Sequence, residues 1–599
     1  MLINKLQSIR LSDIKWAHIS LTLVGLMWVL PFVFSRHELP ITTFDQEWWC
    51  AMLGVMALSL LVNNDFWRQP KIPRIAQLPI VLIGIVMLQV LLGEITYFSQ
   101  ALLYILYLMF AALLMLLGAR LRACLGVEKL SVVLAIFLLV GAELSALIGL
   151  LQHYEFHTPL DALISMQVST GVYGNLAQPN HFSDYVALGL ISLGLLFYQR
   201  KFSLHNAAIL ALPLLFVMSL SGSRSSWLYL LLMSGLAWWF SRRDVTLKPL
   251  FRYGLVLLIG FGVMHVIVQI PIMMTETVLE TNTVERLIAS NGEVAGSSIR
   301  FYLWHEAWQM LKEHPWLGVG VGQFAWHHFE LLPIMRVSNI SGYYNNAHNL
   351  FFQLAAETGI AGLLALLVSF WFWFNGIRRI VPSIVHWWAY SALGVLAIHS
   401  LLEYPFWYAY FLAVAAILLG AFDETYYRLS HPVLGRASMA IILLFGLLSL
   451  VRLNSDYQQL KDVSAIEWSS ENAYQKIRDG LLAVRNGGSA ISHYADVYFL
   501  AYSGVNEDQI KQKIALGSNV AHFAPVASTV YRQAFLLAQG GQLDQAKRLL
   551  EQAIWSYPNK KDAFQWLTNL AEKDPAHFSA LLEFMVQKEQ EHALAVHQY

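Results

Sequence analysis

The run YYNNAHNLFFQLAAETGIAGLLALL, residues 343–367, sets a polar cluster, Asn345-Asn346-Ala347-His348-Asn349, directly against a long apolar segment. The apolar part has the length and composition of a bilayer-buried helix. The polar part then stands at its lip. Two readings follow from that placement. The groups cap the helix, or they stand where a membrane-bound substrate meets the aqueous phase.

The rest of the chain agrees with a membrane setting. Of its 599 residues, 57% are apolar and 13% charged, with a mean hydropathy of +0.51. Soluble domains carry about 25% charged residues, so this is an all-α polytopic membrane protein. Formal net charge is zero, which gives no electrostatic reason to expect a nucleic-acid partner. The two cysteines, Cys50 and Cys124, fall in or near different apolar segments, so neither a disulfide framework nor a CxxC metal site is expected. The first apolar run has spanning length and no A-x-A-like site, and reads as a span, not a cleavable leader.

On a scale of about 20 apolar residues per span, the sequence gives thirteen segments. They lie near 16–34, 46–63, 77–93, 97–118, 130–151, 181–198, 206–221, 226–240, 251–271, 349–374, 384–402, 405–421 and 437–452. Basic short connections stay cytoplasmic. Alternate connections carry Lys5/Arg10/Lys15, Arg68/Lys71/Arg74, Arg120/Arg122/Lys129, Arg200/Lys201, Arg242/Arg243/Lys248, Arg378/Arg379 and Arg428/Arg436, while the short ones between hold only Arg36 and Arg224. The N-terminus is therefore expected in the cytoplasm. Facing outward are the stretch around 152–180, the turn at 221–226, the loop 272–348 and the tail 453–599. The expected divisions are 1–271 and 349–452 as membrane parts, 272–348 as a large loop, and 453–599 as a helical domain. Within that domain Ala534, Gly541, Ala546, Ala553 and Pro558 are spaced as in a tetratricopeptide-type helix pair, a spacing that any packed helical hairpin shares.

Four outward features carry polar chemistry. In SGSRSS (221–226), Arg224 runs against the basic-inside bias. It reads as a snorkelling residue beside a Ser223 or Ser225 cap, or as an anion site whose guanidinium grips phosphate oxygens in pairs. In SSIRFYLWHEAWQML (297–311), Arg300, Trp304, Trp308 and Leu311 recur at helical spacing and suggest an interfacial amphipathic helix. There Arg300 is an anchor or an anion ligand, and His305 and Glu306 read equally as solvated. The glycines of HPWLGVGVGQF form a turn, because the Lys-Ser/Thr of a P-loop is missing. In YGNLAQPNHFSDY (173–185), Asn175, Gln178, Asn180, His181 and Asp184 crowd the outer end of a helix opened by Pro179. Amides that donate and accept suit sugar hydroxyls or a peptide backbone, although Asn180 could simply cap. The fourth feature is His348-Asn349, followed after nine residues by Gly359-Ile360-Ala361-Gly362.

That H-N-x9-G-x-x-G pattern resembles the signature of the O-antigen ligase, O-antigen polymerase and protein O-oligosaccharyltransferase superfamily. SGSRSSW and IRFYLWHEAWQMLKEHPWLGVGVGQF resemble its arginine turn and its ligase loop. GNLAQPNHFSDY and HSLLEYPFWYAYFL (399–412), with the long helical tail, resemble the PglL-type protein-glycosylation branch. The resemblance implies a GT-C-like bacterial inner-membrane glycosyltransferase with a periplasmic site. It would move an oligosaccharide en bloc from undecaprenyl diphosphate to Ser or Thr of an exported protein such as a type IV pilin. On that reading His348 is the general base and Arg224 and Arg300 hold the diphosphate. Asn349, Asn175, Gln178, Asn180 and His181 orient groups or bind sugar, and Gly359 and Gly362 permit close helix packing. With no D-x-D carboxylate pair in the outward loops, neither metal nor cofactor is expected, and the transfer inverts configuration. Two alternatives stay open: an O-antigen ligase acting on lipid A-core, and a multi-span transporter. Against the transporter stand the absence of an evident inverted repeat and of ionisable groups clustered at mid-membrane.

Overall fold

The computed structural model describes residues 11–166, 171–270, 295–335, 340–378, 380–428, 432–466 and 471–596. Lys5, Arg10 and Arg379 of the basic connections, and residues 271–294 and 336–339 of the large loop, lie outside them. Among the described residues nearly everything is helix, because a backbone in hydrocarbon must satisfy its own hydrogen bonds. Counting helices of ten residues or more, the first nine are α1 (Leu11–Met27), α2 (Phe44–Ala57), α3 (Gln77–Leu92), α4 (Phe98–Leu125), α5 (Val127–His153), α6 (Pro179–Tyr198), α7 (Leu204–Leu220), α8 (Ser225–Arg243) and α9 (Lys248–Ile267). Then come α10 (Ala295–Glu313), α11 (Phe324–Met335), α12 (Leu350–Ile377), α13 (Ile384–Ser400), α14 (Ala409–Ala421) and α15 (Pro432–Ser464). The tail holds α16 (Glu471–Asn486), α17 (Ser492–Tyr502), α18 (Ile510–Phe523), α19 (Ala527–Gln539), α20 (Leu543–Ser556), α21 (Lys561–Lys573) and α22 (Pro575–Val596).

All thirteen expected spans fall on helices, but among the described residues eight helices are long and apolar enough to cross a membrane. The remaining five, on α2, α7, α8, α13 and α14, are shorter or more polar. In α14, 13 residues long, every residue but Leu412 is buried. Protein, not lipid, surrounds such a helix, so bilayer thickness does not dictate its length. The chain divides into two compact units, one made of residues 1–80, 107–294 and 366–451, the other of 81–106, 295–365 and 452–599.

The first unit is a helical bundle around Trp28, Phe32, Tyr185, Trp387, Trp388 and Phe411, all fully buried. Phe32 and Tyr185 stack with ring centroids 3.9 Å apart. Its outside is apolar too: α9 exposes Val256, Ile259, Val263 and Val266, and α15 exposes Ile441, Leu444, Leu448 and Val451. Apolar stripes of that extent are foreign to a surface in water and mark the lipid-facing wall of a multi-pass membrane protein. A short antiparallel ladder pairs Lys71–Pro73 with Tyr426–Arg428.

In the second unit the tail helices close their own core around Val530, Phe535, Leu550, Leu567 and Phe578. Helices α19 and α20 form a hairpin through Gly540-Gly541, and Ala534, Ala546 and Ala553 are fully buried in it. Small residues there let the two backbones approach. Loop helix α11 contributes Phe329 to the same core, and Trp326 stacks on His522 at 4.0 Å. The described part of the large loop therefore folds together with the tail. Helix α15 also runs on past residue 452 to Ser464.

Candidate active site

The residues around His348 are built from the helix end outward. Asn349 caps α12: its Oδ1 accepts from the N–H groups of Phe351 (3.0 Å) and Phe352 (3.3 Å), relieving two donors that a helix start leaves unpaired. Before it, His348 adopts φ +50°, a left-handed conformation uncommon for a residue with a side chain. The surroundings hold it there. His348 N–H donates to Asn346 Oδ1 at 2.7 Å, and Ala347 N–H donates to Gln353 Oε1 at 2.7 Å. Trp304 Nε1 donates to Ala347 O at 2.9 Å while its ring stacks on Phe352, 5.1 Å and 11° apart. The half-buried imidazole thus projects from a backbone pinned on both sides. Arg300 lies one turn before Trp304 on α10, on the side of that helix that meets the loop.

Helix α10 differs from the expected interfacial helix. Its buried stripe is Leu303, Glu306, Ala307 and Met310, whereas Phe301 and Trp308 point outward. Trp304 and Trp308, expected on one face, serve opposite purposes because Trp304 is drawn inward by Phe352. Glu306 is not solvated. Its Oε2 pairs with His328 Nδ1 at 2.8 Å, both side chains 2% exposed, a pairing that sequence spacing does not suggest because it joins two helices.

The glycine signature also takes a different role. Gly359 has φ +62° and ψ −158° and breaks α12 in two. A Cβ there would come within 2.6 Å of the Trp316 carbonyl carbon, so the break lets the 316–318 backbone press against the helix. Gly322 N–H donates to Glu357 Oε1 at 2.9 Å, and Gln89 Nε2 donates to the carbonyls of Leu317 and Glu357, both at 2.7 Å. The glycine loop is a clasp on a broken helix. Gly362, expected to meet another helix, instead adjoins Thr358 of its own chain turn.

The tail grips the other end of the His348 loop. Gly342 N–H donates to Ser556 O at 2.7 Å, and Trp555 packs with Leu332 and Ile340.

Arg224, Asn175, Gln178, Asn180 and His181 belong to the first unit, and Arg300, His348 and Asn349 to the second. Gln178 caps α6, its Oε1 accepting from His181 N–H at 2.6 Å, with Pro179 at the first helical position. Asn175 is 1% exposed. Its Oδ1 accepts from Ser165 N–H and Oγ–H, both 2.9 Å, and its Nδ2 donates to Val33 O and Leu163 O, both 2.7 Å. All four bonds an amide side chain can make are thereby spent inside the protein. Asn180 does not cap. Its Nδ2 donates to Glu403 Oε1 at 2.9 Å and its Oδ1 accepts from Ser223 Oγ–H at 2.8 Å.

Ser223 accordingly is not the cap expected beside Arg224. That turn is fastened to α6 instead, and the exposed Arg224 opens α8. Ser226 and Ser183 share a hydrogen bond of 2.6 Å. Below them His399 Nδ1–H donates to the Asp184 carboxylate, both groups fully buried, and the His181 ring lies 5.1 Å from that of His399 and 4.8 Å from that of Tyr408. Sequence reasoning gives Glu403, Asp184 and His399 no specific role. The signal is nevertheless there: Asn180/Asp184 and His399/Glu403 are each four apart, the spacing of one helix face, although Glu403 stands in the turn just past the end of α13.

Comparison with known proteins follows the same order along the chain. A model described as protein glycosylation ligase matches residues 172–197, one described as O-antigen ligase matches 208–367, and one described as the C-terminal part of a virulence-factor membrane-bound polymerase matches 387–570. Two proteins of Acinetobacter baylyi are similar. A general O-oligosaccharyltransferase is 28% identical over 403 residues, 66% of this chain and 68% of the relative. A ComP-specific O-oligosaccharyltransferase is 27% identical over 377 residues, 62% of this chain and 65% of the relative. The O-antigen ligase match alone takes in Arg224, Arg300, His348 and both signature glycines. With residues 172–197 matching the protein glycosylation ligase model, the chain is similar to the protein-glycosylation branch of the O-antigen ligase superfamily and is a membrane-bound glycosyltransferase.

Proposed function

We propose that this protein is a bacterial inner-membrane O-oligosaccharyltransferase. It transfers a glycan en bloc from undecaprenyl diphosphate to a Ser or Thr hydroxyl of an exported, pilin-like protein, at the periplasmic face, with its N-terminus in the cytoplasm. The observation that carries this reading is the His348 loop: an imidazole at a helix lip, in a backbone conformation with a strain cost, fixed by Asn346, Asn349, Gln353 and Trp304. Such preorganisation suits a general base.

In the reaction the acceptor oxygen attacks the anomeric carbon as the bond to the diphosphate breaks. His348 takes the hydroxyl proton, undecaprenyl diphosphate leaves, and configuration inverts. Arg224 and Arg300 hold the diphosphate and stabilise the charge that grows on it. Asn349 supports the base by capping the helix behind it. The ComP-specific relative and the protein glycosylation ligase match favour a protein acceptor, while the O-antigen ligase match keeps lipid A-core as the second acceptor to test.

The test is intact-mass analysis of a co-expressed pilin and of lipopolysaccharide, with wild-type protein, His348→Ala and Arg300→Lys. Wild type should glycosylate the pilin. His348→Ala should lower transfer by about 10²–10⁴-fold, and Arg300→Lys should lower it despite keeping charge. Full transfer by His348→Ala would remove the base, and glycan lost only from lipopolysaccharide would name the other acceptor.

A further inference from the structure

Helix α6 faces the end of α13 and the turn that follows it through a ladder of polar rungs in the first unit. Asp184 meets His399, and one turn further along both chains Asn180 meets Glu403. The chain of bonds then continues: Asn180 Oδ1 accepts from Ser223 Oγ–H at 2.8 Å, and Ser223 adjoins Arg224. A second link ties Ser226, two residues after Arg224, to Ser183 on α6. Glu403 is 6% exposed and Ser223 5%, with the half-buried Asn180 between them, so both ends of this chain are shielded from water, where an unsatisfied partner is costly and a satisfied one fixes position. Arg224 itself is exposed at the end of this chain.

We infer that Glu403 is the positioning residue of the Arg224 turn: through Asn180 and Ser223 it sets where the guanidinium stands to meet a diphosphate. This rests on the reading of Arg224 as a diphosphate ligand. Glu403 touches neither donor nor acceptor. Its carboxylate orients the Asn180 amide, nitrogen toward itself and oxygen toward Ser223, and so decides which way the Ser223 hydroxyl and the backbone beside it turn. An amide with no such partner could rotate and present its NH₂ to Ser223 instead. The sign of the whole chain is set at Glu403.

The experiment uses the full chain in detergent. It measures the KM for a short polyprenyl-diphosphate disaccharide and inhibition by sugar-free undecaprenyl diphosphate, which reports the diphosphate grip alone. Glu403→Ala should raise both constants about tenfold, the scale of one hydrogen bond to a charged group, with kcat changing less. Glu403→Gln keeps an acceptor oxygen and should stay within about threefold of wild type. Asn180→Asp sets two carboxylates face to face and should weaken both constants, and Asn180→Asp with Glu403→Gln reverses the polarity of the rung and should recover them. In an Arg224→Ala background, Glu403→Ala should change inhibition by less than about twofold.

Inhibition unchanged in Glu403→Ala, or a double variant no better than Asn180→Asp, overturns the role of Glu403 while leaving that of Arg224 standing. Unchanged inhibition in Arg224→Ala overturns both. Should Glu403→Ala fold poorly, the polarity swap decides the matter, because it preserves the volume and the number of hydrogen bonds.

Discussion

The Arg224 turn and the His348 loop are held in place by different physical means. The arginine turn hangs on side-chain hydrogen bonds among Ser183, Ser223, Ser226, Asn180 and Glu403, inside a bundle whose outer wall is apolar. The histidine loop is held by a helix cap, an indole N–H, a glycine clasp and the apolar packing of Leu332, Ile340 and Phe329 against Trp555 and the tail core. In hydrocarbon, apolar packing has no water to escape and discriminates poorly between arrangements, so polar pairs fix the register. Where water competes, burial of apolar surface supplies the hold and hydrogen bonds trim it. One enzyme uses each device where it works best.

That contrast can be broken in four ways. The largest effect is expected for Asn175→Ala, which strands the Ser165 N–H and the carbonyls of Val33 and Leu163. At about 1–3 kcal/mol for each orphaned buried group, the first unit should lose several kcal/mol, read as a lower melting temperature in detergent. A variant of normal stability with a raised substrate KM would return Asn175 to sugar binding. Gly359→Ala comes next, with a left-handed φ and a clash against Trp316. It should cost about 2–3 kcal/mol and lower kcat while leaving inhibition by undecaprenyl diphosphate near wild type. A loss confined to that inhibition would mean the glycine serves the donor site.

The third is a pH effect at His493 of α17, whose imidazole meets Ser99 Oγ of α4 at 3.0 Å. Burial pushes the His493 imidazole down to about 3 from an ordinary 6.5. Between these values the unfolded chain binds the proton that the folded chain refuses, so this stability is complete above about 6.5 and is lost as pH falls toward 3. Near pH 5.5 the loss should approach about 1.4 kcal/mol, and His493→Gln should flatten that slope in tail hydrogen exchange. An unchanged slope would relocate the effect to other groups. Smallest is Asn349. As a cap, Asn349→Ala should cost about 1 kcal/mol and Asn349→Asp almost nothing. Lost activity in Asn349→Asp at normal stability would instead make this side chain a sugar ligand.

Much of this protein is legible in its amino-acid sequence. Apolar runs locate every membrane helix, since periodicity and length are local properties, and the H-N-x9-G-x-x-G pattern points at the loop around His348. The count of helices able to span is less legible. A 13-residue helix such as α14 reads the same whether lipid or protein surrounds it. Stripe direction fails on α10, where Trp304 and Trp308 both look interfacial until Phe352 claims one of them. The amides of 175–180 read as one sugar-facing cluster, yet Asn175 turns inward, Gln178 caps and Asn180 bridges to Glu403. Sequence lists donors and acceptors; it does not say which of them have already found each other.

By itself the sequence determined that the chain is a helical membrane protein, where its helices lie, and which imidazole and arginines are the candidates for its chemistry, because composition and short motifs are written residue by residue. Only the tertiary structure decided that Gly359 breaks a helix, that Glu306 is paired with His328, and that residues 180 and 403, far apart in the chain, form one rung. Those facts are pairings between distant segments. They depend on which partner the packed chain brings within hydrogen-bond reach, and that is a property of the folded whole.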